Sequence, residues 1–139
     1  MAVHLVPLPP NAVAAAAPLW TPFVARIATR DGADVGVLIN NVIGNQVSIA
    51  LAWDEEQQRA LALLGMRFVL KGDKRISELI WLTGEGREIW TPLLADLETY
   101  LREHEACDGI TAICRPGWSK TLTEHGYRTT HYVVEKELT

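Results

Sequence analysis

The chain has 139 residues, of which 48% are hydrophobic and 22% charged, a composition that suits one packed domain over residues 1–139 and excludes a disordered chain. Thirteen Lys and Arg against seventeen Asp and Glu give a net charge of -4, so nothing draws the chain generally to a polyanion, and nucleic acid is not expected as a partner. The longest apolar run, residues 12–20, is broken by Pro18, with Pro22 close behind, well short of the roughly 20 residues a membrane-spanning helix needs.

The N-terminal third reads as helical. Pro9, Pro10 and Asn11 ahead of an alanine run predict a short helix that Pro18 stops, because proline lacks the amide hydrogen that a helix interior uses. Thr21 and Pro22 then supply a cap and a first helical residue, and Phe23, Val24 and Ile27 form an apolar stripe that ends at Asp31 and Gly32. A second amphipathic helix is predicted between Asp34, a cap, and Gly44, a stop, with Val35, Leu38, Ile39, Val42 and Ile43 at helical spacing.

The pattern then changes. Residues 47–53 read as a short apolar strand, 54–57 as a turn, 60–70 as a second strand, 71–74 as a turn and 75–83 as a third strand, so three antiparallel strands in a row are expected. A helix from Thr91 and Pro92 to about His104 carries Leu93, Leu94, Leu97 and Leu101 on one face. Residues 110–114 read as a strand, 118–125 as a brief helix ended by Gly126, and 128–138, rich in Thr, Tyr and Val, as a last strand. If the strands before and after the long helix are parallel, their crossover is right-handed. The fold class predicted is α/β (α+β): a mostly antiparallel mixed sheet with one parallel strand pair and helices on both faces.

The first residues carry no Lys or Arg ahead of an apolar stretch, so no secretory signal is expected. Two cysteines, Cys107 and Cys114, cannot frame a disulfide miniprotein, and a reducing, cytoplasmic setting follows. His104, Cys107, Cys114 and His125 contain no Cys-x-x-Cys or His-x-x-x-His pair to fix ligand geometry, so no metal is expected. The thiols read as one near a helix end and one in a buried strand.

The order of elements, with Leu93 and Leu94 on the crossover helix, the strand Ile110-Thr111-Ala112-Ile113 and the ending Leu122-Thr123-Glu124-His125-Gly126-Tyr127, resembles the GNAT superfamily of acyl-CoA-dependent N-acyltransferases over nearly the whole chain. Gly84-Glu85-Gly86-Arg87-Glu88 followed by Trp90, together with Arg115-Pro116-Gly117-Trp118, look like the small GNAT-like proteins of tailed phages and prophages. The resemblance implies acetyl-CoA as cosubstrate and a small-molecule or peptide amine as acceptor. It also implies a loop of Trp81, Leu82, Thr83, Gly84, Glu85, Gly86 and Arg87 whose backbone amides hold the pyrophosphate. Two registers of the family's loop pattern are open. One uses Trp81, Gly84 and Gly86, so that both glycines fit but Trp replaces Gln or Arg. The other uses Glu85, Glu88 and Trp90, an electrostatically poor cradle.

Glu78 is the base candidate. It lies mid-strand among apolar neighbours, and the corresponding strand commonly supplies a glutamate in the resembling enzymes. The bland reading pairs it with Arg75 or Lys74 across a hairpin. The tyrosine that the family often uses as acid is missing from the segment 118–122, and Tyr127 reads as core, so the thiolate acid is unassigned. Arg87 and Arg115 are candidates for phosphate contact, with a pairing of Arg115 to Glu85 as the alternative. Trp90 and Trp118 flank the expected cleft. The competing function is an inactive GNAT-like fold acting as a phage or prophage assembly or virion component, and a homo-oligomer is compatible with either.

Overall fold

The computed structural model describes residues 2–138, so Met1 and Thr139 lie outside the described residues. The elements in chain order are β1 (Val3–Pro7), α1 (Pro10–Val13), α2 (Ala17–Asp31), α3 (Val35–Ile43), β2 (Ser48–Asp54), β3 (Arg59–Lys71), β4 (Lys74–Gly84), α4 (Arg87–Trp90), α5 (Leu94–His104), β5 (Gly109–Ala112) and α6 (Pro116–Glu124). A 3-10 turn, Thr91–Leu93, joins α4 to α5.

One five-stranded sheet runs in the order β1-β2-β3-β4-β5. Its first four strands pair antiparallel, and β4 and β5 are parallel. Alternation along β2 sorts the side chains onto two faces. Ile49 and Leu51 join Trp20, Val24, Ile27, Val42, Leu63 and Trp81 in one core under α2 and α3. Ala50 and Ala52 join Leu64, Leu79, Leu82, Leu94, Leu97 and Leu101 in the other, under α5 and α6. Each fully buried leucine contributes about 2 kcal/mol by leaving water. The fold is thus the mixed α+β arrangement the pattern predicts.

Four local expectations are corrected. The N-terminal third is not wholly helical, because Val3–Pro7 forms edge strand β1 against β2. Pro18 stops nothing: it lies in the first turn of α2, where its missing amide hydrogen would have had no partner. Pro22 starts nothing either, since α2 runs straight through it. The burial of Trp20, Phe23, Val24 and Ile27, with the Trp20 indole donating to the Val13 carbonyl at 2.9 Å, outweighs the bond that Pro22 forfeits. Residues 128–138 form no strand and are exposed throughout.

Asp34 caps α3 as predicted, its Oδ1 accepting from the amides of Gly36 at 2.8 Å and Val37 at 3.2 Å. No helix of the described residues is long and apolar enough to cross a membrane.

Candidate functional site at the parting of two strands

The parallel pairing of β4 and β5 is short. It couples Ile76 to Gly109, Ser77 to Ile110, Glu78 to Thr111 and Leu79 to Ala112, and ends with the Ile113 amide donating to the Leu79 carbonyl at 3.0 Å. Beyond that point β4 continues to Gly84 with β3 as its strand partner, through the couples Gly65 to Trp81, Leu64 to Leu82, Leu63 to Thr83 and Ala62 to Gly84. The chain after β5 turns away instead, because Pro116 begins α6. The two strands therefore separate at their carboxyl ends, where open α/β sheets take their ligands.

A cavity of about 350 Å³ occupies the separation, lined on the β4 side by Leu82, Thr83 and Gly84 and across from them by Gly117 and Trp118. Arg30, Arg87 and Arg115 bring three guanidinium groups to its lining, which contains no Asp or Glu. Arg87 spans the opening. Its guanidinium lies 3.7 Å from the centre of the Trp118 ring, and its Nη1 donates to the Gly117 carbonyl at 3.3 Å. Trp118 in turn packs on Trp90, with ring centroids 5.4 Å apart and planes tilted by 46°. Both indoles belong to the core under α5 and α6, so they wall the cavity without closing it. The buried Trp90 Nε1 has no acceptor among the described residues.

Helix begins at Arg87, with Gly86 as its N-cap, and not at Thr91. Thr91 is buried within a 3-10 turn and is the C-cap of α4, its amide donating to the Arg87 carbonyl, which corrects the predicted start. Both glycines also have structural reasons. A Cβ on Gly84 would run into the Leu61 carbonyl oxygen and lie 2.5 Å from the Ala62 Cα, while Gly86 holds a φ of +66°. The Glu85 amide donates to the Leu61 carbonyl at 2.9 Å. The amides of Gly86, Arg87 and Glu88 find no acceptor among the described residues.

The remaining expected site residues are dispersed. The Trp81 side chain belongs to the core under α2 and α3, lying so close over Gly65 that a Cβ there would meet its Cε3 at 2.5 Å. It reaches the other face because Gly65 couples to Trp81 while Met66 couples to Leu79, leaving Ile80 as an extra residue that bulges β4. Glu85 turns to Arg59 on β3 in an ion pair, so its carboxylate is not part of the cavity lining. Glu78 is also outside that lining: its Oε1 accepts from the Arg67 Nε at 2.6 Å across the β3-β4 hairpin. The partner is Arg67, directly opposite in register, and neither Arg75 nor Lys74.

Arg115 pairs with Asp31, Nη2 to Oδ1 at 3.7 Å, and not with Glu85. Arg30, from the last turn of α2, meets the same Asp31 oxygen through its Nε at 3.2 Å. Sequence reasoning missed Arg30 because nothing in a helix-terminal arginine announces that packing brings it to the same cavity as Arg115.

Tyr127 is core. Its hydroxyl donates to Glu98 Oε2 at 3.2 Å, and burial first, then the Glu98 charge and hydrogen bond, push its pKa up. The Ser119 hydroxyl makes only a 3.5 Å contact with the Thr129 hydroxyl among the described residues. Burial raises the Cys107 thiol, with Arg75 opposing it, and Cys114 is exposed just past the end of β5 instead of buried in a strand. No group of three or more His, Cys, Asp or Glu able to hold a metal occurs among the described residues.

No family model matches the sequence, and a comparison with curated proteins returned no match. Solved structures do share its architecture. A probable acetyltransferase superposes with a TM-score of 0.73 at 15% identity, covering 98% of this chain and 97% of its own. A predicted acetyltransferase from Clostridium acetobutylicum, solved with acetyl-CoA, gives 0.66 at 14% identity, with 97% and 96% covered. An aminoglycoside acetyltransferase from an uncultured soil metagenomic sample, in complex with sisomicin, gives 0.66 at 13%, with 99% and 96% covered. At these identities the likeness is one of architecture, and the fold is that of the GNAT-like acetyltransferases.

Proposed function

We propose that the chain is an N-acyltransferase that takes its acyl group from acetyl-CoA and gives it to an amine of a small molecule or peptide. The observation that carries this reading is the cavity at the parting of β4 and β5, lined by Arg30, Arg87 and Arg115, with the Asp31 carboxylate, outside the lining, engaging Arg30 and Arg115. Such planar, permanently charged donors suit a pyrophosphate, which they can hold by bidentate, charge-assisted bonds. The free amides of Gly86, Arg87 and Glu88 begin the crossover helix and add partial positive charge on the same loop. A buried indole N-H without an acceptor costs about 1–3 kcal/mol, and a ligand oxygen against Trp90 would relieve that cost. The residues present therefore fit the group, although Trp81, packed in the opposite core, gives it nothing but main chain.

When bound, acetyl-CoA supplies a thioester carbonyl open to attack by an amine. Arg30, Arg87 and Arg115 anchor the anionic end, and the edge of β4 from Ile80 to Gly84 offers main-chain groups along which an extended arm can lie. Glu78, on the same strand, takes the ammonium proton once its carboxylate leaves Arg67.

Calorimetric titration with acetyl-CoA tests the reading, with coenzyme A release in the presence of primary amines as a second readout. Saturable heat that disappears in the Arg87→Ala, Arg115→Ala double variant is expected. No heat at about 1 mM cofactor, corresponding to less than about 4 kcal/mol of binding, overturns it. That result would leave an inactive form of the fold, with which the inward-turned Trp81 and the lack of a tyrosine in α6 are consistent.

A further inference from the structure

Asp31 is the last residue of α2, and nothing in that helix calls for an acid there. The carbonyl end of a helix favours cations over carboxylates, and the stop is already made by Gly32, whose left-handed backbone directs its amide to the Ala28 carbonyl. The carboxylate is used elsewhere. A single oxygen, Oδ1, meets the Arg30 Nε at 3.2 Å and the Arg115 Nη2 at 3.7 Å, and both arginines line the cavity at the parting of β4 and β5. Arg87, the third arginine of that lining, has no carboxylate partner among the described residues.

An arginine grips a phosphate best through a fork of two N-H groups. With its Nε engaged by Asp31, Arg30 keeps only the end-on fork of its two Nη atoms, and Arg115 has one Nη turned to the same carboxylate. Both pairs are loose. The side chains of Arg30, Arg115 and Asp31 are 30%, 58% and 47% exposed, and ion pairs in water break easily. We propose that Asp31 competes with the ligand's phosphates for Arg30 and Arg115, so that this carboxylate, outside the lining, sets how tightly the cavity binds a phosphorylated ligand. The proposal rests on reading the cavity as a pyrophosphate site. Two ion pairs must open before these arginines can close on phosphate, and the observed affinity is lowered to the extent that the chain stays clamped. A strut that merely held the arginines in place would act with the opposite sign.

The test is calorimetric titration of wild type and Asp31→Asn with acetyl-CoA and, separately, with inorganic pyrophosphate, at low ionic strength where exposed charges are least screened. Asp31→Asn is expected to bind both about tenfold more tightly, the strength of two exposed ion pairs that no longer have to open. It should melt near the wild-type temperature, because the lost pairs and the relieved helix end oppose each other. Asp31→Ser, short and polar without the charge, repeats the test should the first variant fold poorly. Equal or weaker binding by a folded variant overturns the proposal. In an Arg30→Ala background the same Asn substitution is expected to gain only about threefold, one partner being gone. A full gain there would mean that the carboxylate repels phosphate across open space, and the clamp falls. Tightening toward pyrophosphate without turnover of acetyl-CoA leaves this proposal standing and removes the acyltransferase reading. Wild-type turnover with no tightening in the variant does the reverse, and absence of binding by either ligand to either protein overturns both.

Discussion

The guanidinium of Arg87 rests 3.7 Å from the centre of the Trp118 ring, bridging the place where β4 and β5 part. One residue thereby ties the start of the crossover helix to the start of α6 while holding its charge at the cavity lining. The first prediction follows from this double duty. Arg87→Ala is expected to weaken acetyl-CoA binding about tenfold, the loss of one charge-assisted contact, and to cost about 1 kcal/mol of stability through the lost stacking. Arg87→Lys keeps the charge without the planar stack, so it should recover more of the affinity than of the stability. Calorimetry and thermal melting, run on the same variants, separate the two effects. Equal affinity in wild type and Arg87→Ala would remove Arg87 from the site.

How much of this was legible beforehand depended on how local each determinant is. The Asp34 cap, the hairpins of the meander and the leucine stripe of α5 are settled within a few residues, and each was readable. The edge strand β1 was not, because a run as short as Val3–Pro7 becomes a strand only through its partner on β2. Thr91 and Pro92 resembled a helix start, but Gly86, able to hold a positive φ, began the helix one turn earlier. The site shows the same division. Thr83, Gly84 and Arg87 follow from the loop, whereas Arg30 enters through packing and Trp81 leaves through the bulge at Ile80.

The two loop glycines should fail differently. Gly84→Ala forces a methyl into β3, where the Ala62 Cα would lie 2.5 Å away, and should destabilise by about 2 kcal/mol or more. Gly86→Ala meets nothing closer than the Ile89 side chain at 3.3 Å, but at a φ of +66° it should cost about 1 kcal/mol. Gly117→Ala, with no atom within 4 Å of the new methyl and no positive φ, should lie within about 0.5 kcal/mol of wild type. Denaturant titration of the three variants checks the order, and an Ala at 84 tolerated as well as one at 117 would refute the close-packing account.

Alkaline pH should destabilise the fold through Tyr127. Its pKa is raised by burial and by Glu98, so the folded chain keeps the phenol proton longer than the unfolded chain does. The associated stability is fully present below the unfolded value of 10.0 and is lost as pH climbs above it. Tyr127→Phe removes that titration along with the hydroxyl bond to Glu98. The variant is expected to be less stable than wild type at neutral pH and to lose less on going to pH values above 10.0, so the two stability curves converge. Parallel curves would show that Tyr127 does not govern the alkaline limb.

The pair formed by Arg67 and Glu78 separates catalysis from scaffolding. A partly exposed ion pair of this kind contributes about 1 kcal/mol at most, so neither Arg67→Ala nor Glu78→Gln should unfold the chain. If Glu78 removes the ammonium proton, Glu78→Gln should lower kcat for acetyl transfer by about a hundredfold or more with KM for acetyl-CoA unchanged, because the carboxylate lies outside the cavity lining. Arg67→Ala acts in the opposite sense, freeing the carboxylate that the 2.6 Å contact now engages, and should leave kcat equal or higher. The discriminating measurement is kcat in both variants. A loss in Glu78→Gln that Arg67→Ala does not share would follow only if this carboxylate carries the proton. Unchanged rates in both would leave the pair as a cross-strand clamp between β3 and β4, and the base would have to be sought along the edge of β4 that β5 leaves uncovered.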